Sequence, residues 1–204
     1  MGNIVKRRQA DRRREAEAKL IEAAIELVAE NGYEAFSLAQ VGERAGFSRG
    51  LPAHYFGSKD LLLTAAAEQI VAIFIQRIEE RPLPKGGIEP IFAVLRGIAQ
   101  SNYHRRPASR ALYVIISSAI VKPGLVKAVQ RLNKTSINWA VNVLQIAIEN
   151  GLVRKDIDVY SEAASIVAFH RGCTAFFNLD LKFAIAAVTE NFIKELALRL
   201  LIAE

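Results

Sequence analysis

Apolar residues recur with helical spacing over almost the whole of this chain. Leu20, Ala24 and Leu27, with Ile21 and Val28 beside them, form one continuous stripe along a helix. Strand-like alternation between turn signals is scarce. A chain of 204 residues, of which 51% are apolar, can bury a real core. The pattern therefore predicts an all-α fold.

Glycine and serine divide the first part of this pattern into short helices. We expect the first long helix to end before Gly32, because glycine tolerates the left-handed backbone that closes a helix. Ser37 opens the next helix in the motif SLAQ, where its hydroxyl and Gln40 can form a capping box. Gly46 ends that helix after about two turns, and Ser48 offers a fresh N-cap.

Longer helices are predicted for the remainder. An apolar run follows from residue 61 to 78, and then the segment RPLPKGG, with two prolines and two glycines, indicates a linker. Beyond it we place helices at 88–104, 108–121, 124–150, 159–179 and 184–203. About nine helices result.

The leading segment is the most basic part of a chain whose net charge is +6. Within the first fourteen residues a single acidic residue, Asp11, faces six cationic side chains: Lys6, Arg7, Arg8, Arg12, Arg13 and Arg14. A solvated, disordered tail is one interpretation. An arm that lies along phosphates or enters a minor groove is the other.

The stretch SLAQVGERAGFSRGLPAHYFGSKDLL has the layout of a helix-turn-helix. Two short helices surround a tight glycine turn, and the second is short enough to be presented to a DNA major groove. The outward positions of this second helix are Arg49, Gly50, Leu51, Ala53 and His54. An ordinary solvated helical face is the alternative.

This stretch resembles the tetracycline-repressor (TetR) family over about residues 16 to 62. The matching pieces are AAIELVAENGYEAFSLAQVGERAGFSRG and HYFGSKDLL. The resemblance implies that Ser37, Ser48, Tyr55 and Lys59 contact phosphate. It also implies that Arg49 reads a base, since a guanidinium can pair with guanine O6 and N7.

Two positions depart from the family pattern. Pro52 stands where an aliphatic residue is usual, and Ala53 stands where an aromatic usually meets the DNA backbone. Leu51 or Ala53 could then lie against a thymine methyl group. His54 could touch either a base edge or a phosphate. We therefore assign residues 1–60 to a basic arm and a DNA-binding domain.

Residues 61–204 are predicted to form a helical domain for dimerisation and effector binding. The last two helices, SEAASIVAFHRGCTAFF and FAIAAVTENFIKELALRLL, are apolar over most of their circumference. A homodimer interface and burial within one subunit both fit that pattern. The resemblance also implies an effector pocket, with these candidate lining residues: Phe92, Tyr113, Trp139, Phe169, His170 and Cys173. Plain core packing is the alternative for each of them.

Other classes of protein find little support in the sequence. G-x-S-x-G, glycine-rich phosphate loops and H-E-x-x-H are missing, so we expect no enzyme. A single cysteine and three histidines predict neither a disulfide nor a metal site, and we expect no cofactor. Without a secretory signal or an evident apolar stretch of about 20 residues, a cytoplasmic protein off the membrane is expected.

The functional hypothesis is a sequence-specific regulator of transcription that binds double-stranded DNA. By the resemblance, it would be a homodimeric repressor that a small, largely apolar ligand releases from a palindromic operator. The alternative is a helical module for protein interaction or small-molecule binding without a DNA role.

Overall fold

The computed structural model of the chain describes residues 2–81, 87–99, 107–180 and 182–202. Nine α-helices and no extended strand occur in these ranges, which confirms the predicted all-α fold. The helices are α1 (Gly2–Asn31), α2 (Leu38–Arg44), α3 (Leu51–Phe56), α4 (Lys59–Glu79), α5 (Glu89–Ala99), α6 (Pro107–Ser118), α7 (Pro123–Glu149), α8 (Val159–Leu179) and α9 (Ile185–Leu200).

The observed helix bounds follow the predicted ones closely. α8 coincides with the predicted helix at 159–179, and α1 ends at Asn31, immediately before Gly32 with its positive φ of 84°. Within the described ranges α5 ends at Ala99, so the predicted extension to residue 104 lies outside them. Most of the predicted linker, residues 82–86, also lies outside the described residues.

The basic leading segment is part of α1. The helix begins at Gly2 and continues without a break to Asn31, so the expected arm or tail is the first turns of a long helix. Residues 3–31 contain neither glycine nor proline and are rich in Arg, Glu, Ala and Lys, which lose little conformational freedom in a helix.

Two compact units make up the chain, and their division differs from the predicted boundary at residue 60. The first unit comprises Met1–Ala72 and Pro107–Val129, and the second comprises Ile73–Arg106 and Gln130–Glu204. α6 belongs to the first unit because it packs along α1. The apolar stripe of α1 needs such a partner, since α2 and α3 together are too short to cover it.

In the first unit the core lies between α1, the first half of α4, α6 and the start of α7. Its largest fully buried side chains are Leu20, Leu62, Leu63, Ile70, Leu112, Ile115 and Leu125. α4 has 21 residues and is apolar enough by composition to cross a bilayer, which sequence reasoning did not anticipate. Its apolar residues serve instead as core, with Leu62 and Ile70 fully shielded from solvent.

The second unit has its own core, built from α5, most of α7, α8 and α9. Buried members include Phe92, Leu95, Leu144, Ile166, Ile193 and Leu196. Arg96 of α5 and Glu190 of α9 form an ion pair of 2.8 Å at the edge of this core. α8 and α9 therefore bury one side of their surface within the same chain.

α2 and α3 approach each other closely at Gly42. A β-carbon at this position would lie 2.5 Å from the backbone oxygen of Ser48 and 3.2 Å from Cδ of Pro52. Real side chains do not make contacts that short, so only glycine fits. Pro52 is buried in the second position of α3, where the missing N–H leaves no helical bond unmade.

The substitution Gly42→Ala should therefore force α2 and α3 apart. We expect the free energy of unfolding of the first unit to fall by about 1–3 kcal/mol, the usual effect of overpacking. The urea midpoint measured by circular dichroism would fall accordingly.

Gly97→Ala is the matched control, because a β-carbon at this helical glycine meets nothing within 4 Å. That change should stabilise α5 by about 0.5–1 kcal/mol. Equal urea midpoints for Gly42→Ala and Gly97→Ala would contradict the close approach of α2 and α3 at Gly42.

Candidate functional site

The N-terminus of α2 carries the predicted capping box. Ser37 is the N-cap residue, and its Oγ accepts a hydrogen bond of 3.3 Å from the backbone N–H of Gln40. In return the backbone N–H of Ser37 donates to Oε1 of Gln40 over 2.7 Å. Val41, one turn into the helix, is fully buried. The sequence prediction for the start of this helix is confirmed.

The predicted N-cap at Ser48 is wrong. α3 begins at Leu51 with Gly50 as its N-cap residue, and no side chain caps it. In a helix starting at Ser48, the fourth N–H after it would donate to the Ser48 carbonyl, but Pro52 has no N–H. Instead that carbonyl accepts a 3.1 Å hydrogen bond from the N–H of Leu51. Proline thus replaces the first turn of α3 with a tighter one.

The predicted reading positions lie together on the surface of the first unit, on and around α3. Leu51, Tyr55 and Lys59 are half-buried. The exposed residues are Ser37, Ser48, Arg49, Gly50, Ala53 and His54. The face that the sequence assigned to the outside of the second short helix is therefore open to solvent.

Arg49 is the most prominent cation on this face. Its side chain is 78% exposed, and its Nε donates to a carboxylate oxygen of Glu43 in α2. An ion pair this exposed contributes little to stability. The guanidinium can therefore exchange Glu43 for another acceptor at small cost.

A second arginine of α2 has a structural role. Arg44 donates to both carboxylate oxygens of Glu30 over 2.9 and 2.8 Å, and to Glu26 over 3.2 Å. The hydrogen bond from Arg44 holds the pKa of Glu30 below its usual range. These contacts tie α2 to the end of α1, and sequence reasoning did not single them out.

Tyr55 and Lys59 connect the exposed face to other parts of the unit. The guanidinium of Arg13, from the basic segment of α1, lies 5.7 Å from the centre of the Tyr55 ring. Nζ of Lys59 donates to the backbone oxygen of Glu34 over 2.7 Å and lies 4.7 Å from the centre of the Phe36 ring. Lys59 thereby supports the turn that precedes α2.

The same turn is held by a residue from far along the chain. Nζ of Lys122, in the turn before α7, lies 2.5 Å from Oε1 of Glu34 and 5.6 Å from the centre of the Tyr33 ring. The hydrogen bond from Lys122 lowers the pKa of Glu34 and raises that of Lys122 itself. No signal in the sequence pairs these two positions.

A cavity of about 100 Å³ lies within the second unit, lined by side chains of α4, α5, α7 and α8. Two of the six predicted ligand contacts, Trp139 and His170, line it. Three arginines that sequence reasoning did not propose line it as well: Arg77, Arg81 and Arg171. The sequence did contain a signal for these three residues, because each is an arginine within or next to an otherwise apolar helix.

The other four predicted contacts lie elsewhere. Phe92 and Cys173 are core residues of the second unit, and burial raises the pKa of the Cys173 thiol. Phe169 stacks on Phe192 with ring centres 3.7 Å apart. Tyr113 belongs to α6 in the first unit. Helical periodicity identifies apolar faces, but it does not tell which buried side chain borders a cavity.

α8 also presents an exposed stripe along one side. Its exposed members are Ser161, Ser165, Ala168, Phe176 and Leu179, with the half-buried Gly172 between them. The first half of the stripe is thus made of small side chains and the second half of large apolar ones. Phe176 is 63% exposed and Leu179 is 89% exposed, and in α9 Leu198 is 81% exposed. An apolar surface of this kind is typical of an interaction site.

Two short helices at a close crossing, braced by longer helices, give the first unit the layout of a helix-turn-helix domain. Comparison with known proteins agrees. The family model of the bacterial regulatory proteins of the tetR family matches residues 20–66. Over these residues the chain is similar to this family of regulators.

One relative is the HTH-type transcriptional regulator BetI 1 of Chromohalobacter salexigens. It is 30% identical over 125 residues, which are 59% of this chain and 59% of that protein. The matched part of the chain thus spans about three fifths of the length of that relative.

Solved structures resemble the fold over nearly the full length. A TetR-family regulator of Cytophaga hutchinsonii superposes with a TM-score of 0.78 at 14% identity, covering 95% of this chain and 98% of that one. The regulator FadR from Bacillus subtilis, in complex with stearoyl-CoA, superposes with a TM-score of 0.66 at 21% identity. That match covers 88% of this chain and 97% of the FadR chain.

The Glu34–Lys122 pair makes the stability of the first unit depend on pH. Glu34 has a lowered pKa when folded, so its stabilising contribution is present at neutral pH and is lost as the pH falls through that lowered pKa. Glu34→Gln should lower the melting temperature near neutral pH, and the difference from wild type should vanish in strong acid. Melting curves followed by circular dichroism over this pH range test the prediction.

Glu17→Gln, at an exposed position of α1, provides the control for this pH series. Its melting temperature should run parallel to that of the wild type at every pH. A constant difference between Glu34→Gln and the wild type down to strong acid would show that the ion pair is not the cause.

Proposed function

We propose that this protein is a homodimeric repressor that binds a palindromic operator with two copies of α3 and leaves it when a small ligand fills the cavity of the second unit. The exposed α3, held against α2 at Gly42, is the main support for this function. A short helix locked to its neighbour can enter the major groove without rearranging. The protein would act in the cytoplasm, where bacterial DNA is accessible.

The DNA contacts follow from the exposed face around α3. Arg49 would exchange Glu43 for guanine O6 and N7. Gly50 leaves room for close approach, and Leu51 and Ala53 would lie against thymine methyl groups or neighbouring bases. His54 would reach a base edge or a phosphate.

Phosphate contacts would flank this face. The hydroxyls of Ser37, Ser48 and Tyr55 are exposed or half-buried donors at its border. Lys59 would contribute its charge while it stays on the Glu34 carbonyl. Arg13, beside Tyr55, would bring the basic start of α1 toward the DNA backbone.

A second copy of the chain would cover the exposed stripe of α8 and the neighbouring part of α9. Small side chains such as Ser165 and Ala168 let two helices approach closely, and Phe176 and Leu179 supply apolar area. The predicted interface through the last two helices remains the proposal, although both helices also bury one face in their own subunit. Two-fold symmetry would then match a palindromic site.

Two helices could couple the cavity to α3. α4 carries Lys59 in the first unit and Arg77 at the cavity, and α7 starts beside Lys122 and carries Trp139 at the cavity. A ligand that prefers one position of these helices would shift the population of DNA-binding dimers. The complex of FadR with stearoyl-CoA supports a ligand with a large apolar part.

Selection of bound sequences from a random duplex pool tests the function directly. We expect one enriched motif with two symmetric half-sites about one helical turn, or a multiple of one, apart. The affinity for that motif should fall with salt, with about one unit of log–log slope per phosphate contact. A pool that shows no enrichment at low ionic strength would refute DNA recognition.

Arg49→Ala tests the assignment of the base-reading residue. Loss of a bidentate contact should reduce discrimination at one base pair of each half-site by about 1–3 kcal/mol. The measurement is the affinity for the selected operator and for single-base variants of it. Arg110→Ala, at an exposed position of α6, should leave discrimination unchanged. If the base preference of Arg49→Ala is the same as that of the wild type, a residue other than Arg49 recognises this base pair.

Ala168→Arg tests the dimer. A long charged side chain in the middle of the exposed stripe should keep two copies of α8 apart, and the mass in solution should drop from twice 22.5 kDa to that of one chain. Light scattering after size exclusion gives this mass. Ala93→Arg, at an exposed position of α5, should remain dimeric. A dimeric Ala168→Arg variant would place the interface elsewhere.

A further inference from the structure

The cavity of the second unit has a positively charged wall. Arg77 reaches it from α4, and Arg81 reaches it from two residues beyond the end of α4. Arg171 reaches it from α8. No aspartate or glutamate is among the described residues that line it. The guanidinium group is a cation, so these three side chains give the wall its charge. A positive cavity without a lining carboxylate favours an anion and disfavours a cation.

Two residues that line the cavity each carry a buried donor with no acceptor among the described residues. The donors are Nε of Arg171 and Nε1 of Trp139. Buried N–H groups in folded proteins almost always have a hydrogen-bond partner. Both residues line the same cavity, so an acceptor placed inside it could serve both.

The guanidinium of Arg171 is held in place on one side. Its Nη2 lies 3.5 Å from Oγ of Ser136, and that hydroxyl donates to the backbone oxygen of Leu132 over 2.8 Å. The Ser136 hydroxyl therefore accepts a hydrogen bond from the guanidinium, because its own hydrogen is donated to Leu132. The contact is long, so it orients Arg171 without satisfying the group.

Trp139 is held in a similar way. The guanidinium of Arg81 lies 5.3 Å from the centre of its ring. A cation over the ring face fixes the plane of the indole and hence the direction of its N–H. Apart from His170, the rest of the wall is apolar, with Ile78, Leu95 and Ile166 among its members.

We propose that the ligand of this cavity is an amphipathic carboxylate. Its carboxylate would accept hydrogen bonds from Nε–H of Arg171 and Nε1–H of Trp139, and its apolar body would lie against the aliphatic side chains. A carboxylate fits better than a neutral group, because it offers one oxygen to each of the two donors and its charge strengthens the hydrogen bond from the guanidinium. The proposal rests on the proposed function, since it narrows the class of the effector.

Matched pairs of acids and amides test this headgroup. Octanoate with octanamide, and 3-phenylpropanoate with its amide, differ in charge at almost constant shape. Trp139 is the single tryptophan of the chain and lines the cavity, so its emission reports binding there. In titrations of the full chain we expect each acid to bind about tenfold or more tightly than its amide.

Variants of Arg171 link that preference to the proposed contact. Arg171→Gln should weaken binding of the acids by about tenfold or more and leave the amides nearly unchanged, which removes the discrimination. Arg171→Lys keeps the charge but not the Nε–H donor, and should recover part of the preference. Arg110→Gln, the same chemical change away from the cavity, should behave as wild type. Thermal unfolding of each variant verifies that it is folded.

Equal affinities for acid and amide in both pairs, or no change in Trp139 emission at millimolar concentration, would overturn the inference. The same preparation is also assayed on the selected duplex. A protein that binds DNA but does not prefer the acids loses only this inference. One that prefers the acids but ignores every duplex retains the carboxylate site and loses the proposed function.

Discussion

The close crossing of α2 and α3 at Gly42 determines the geometry of the first unit. With seven and six residues, these helices have too little apolar surface to hold each other by burial alone. A β-carbon at Gly42 would lie 2.5 Å from the Ser48 carbonyl oxygen and 3.2 Å from Cδ of Pro52, so only glycine allows this approach. The exposure of Arg49 and His54 on a fixed surface depends on that crossing.

Charged residues from distant parts of the chain brace this small pair of helices. Arg44 joins α2 to Glu30 at the end of α1, and Lys122 joins the turn before α2 to the start of α7. Such exposed pairs add little stability individually. Their main effect is to fix the position of α2, because one pair holds the turn before this helix and the other holds its last turn. A displacement of α7 would reach that turn through the contact of Lys122 with Glu34.

α8 carries two surfaces that the proposed function uses. One side carries His170 and Arg171, which line the cavity, and another side carries the exposed stripe that includes Ala168 and Phe176. A helix of 21 residues can present both because side chains about four apart repeat on the same side. Ligand binding and subunit contact would therefore act on one rigid element.

Local patterns were enough to predict the helices, the bounds of α8 and the capping box at Ser37, because these depend on neighbours a few residues apart. They were also enough to point to the exposed face of α3. The late start of α3 follows from one missing N–H at Pro52, a local signal already present in the sequence. Tertiary packing alone decided that α6 joins the first unit and which buried side chains border the cavity. Phe92 and Trp139 look alike in a helical pattern, and only the packing of several helices leaves space beside one of them.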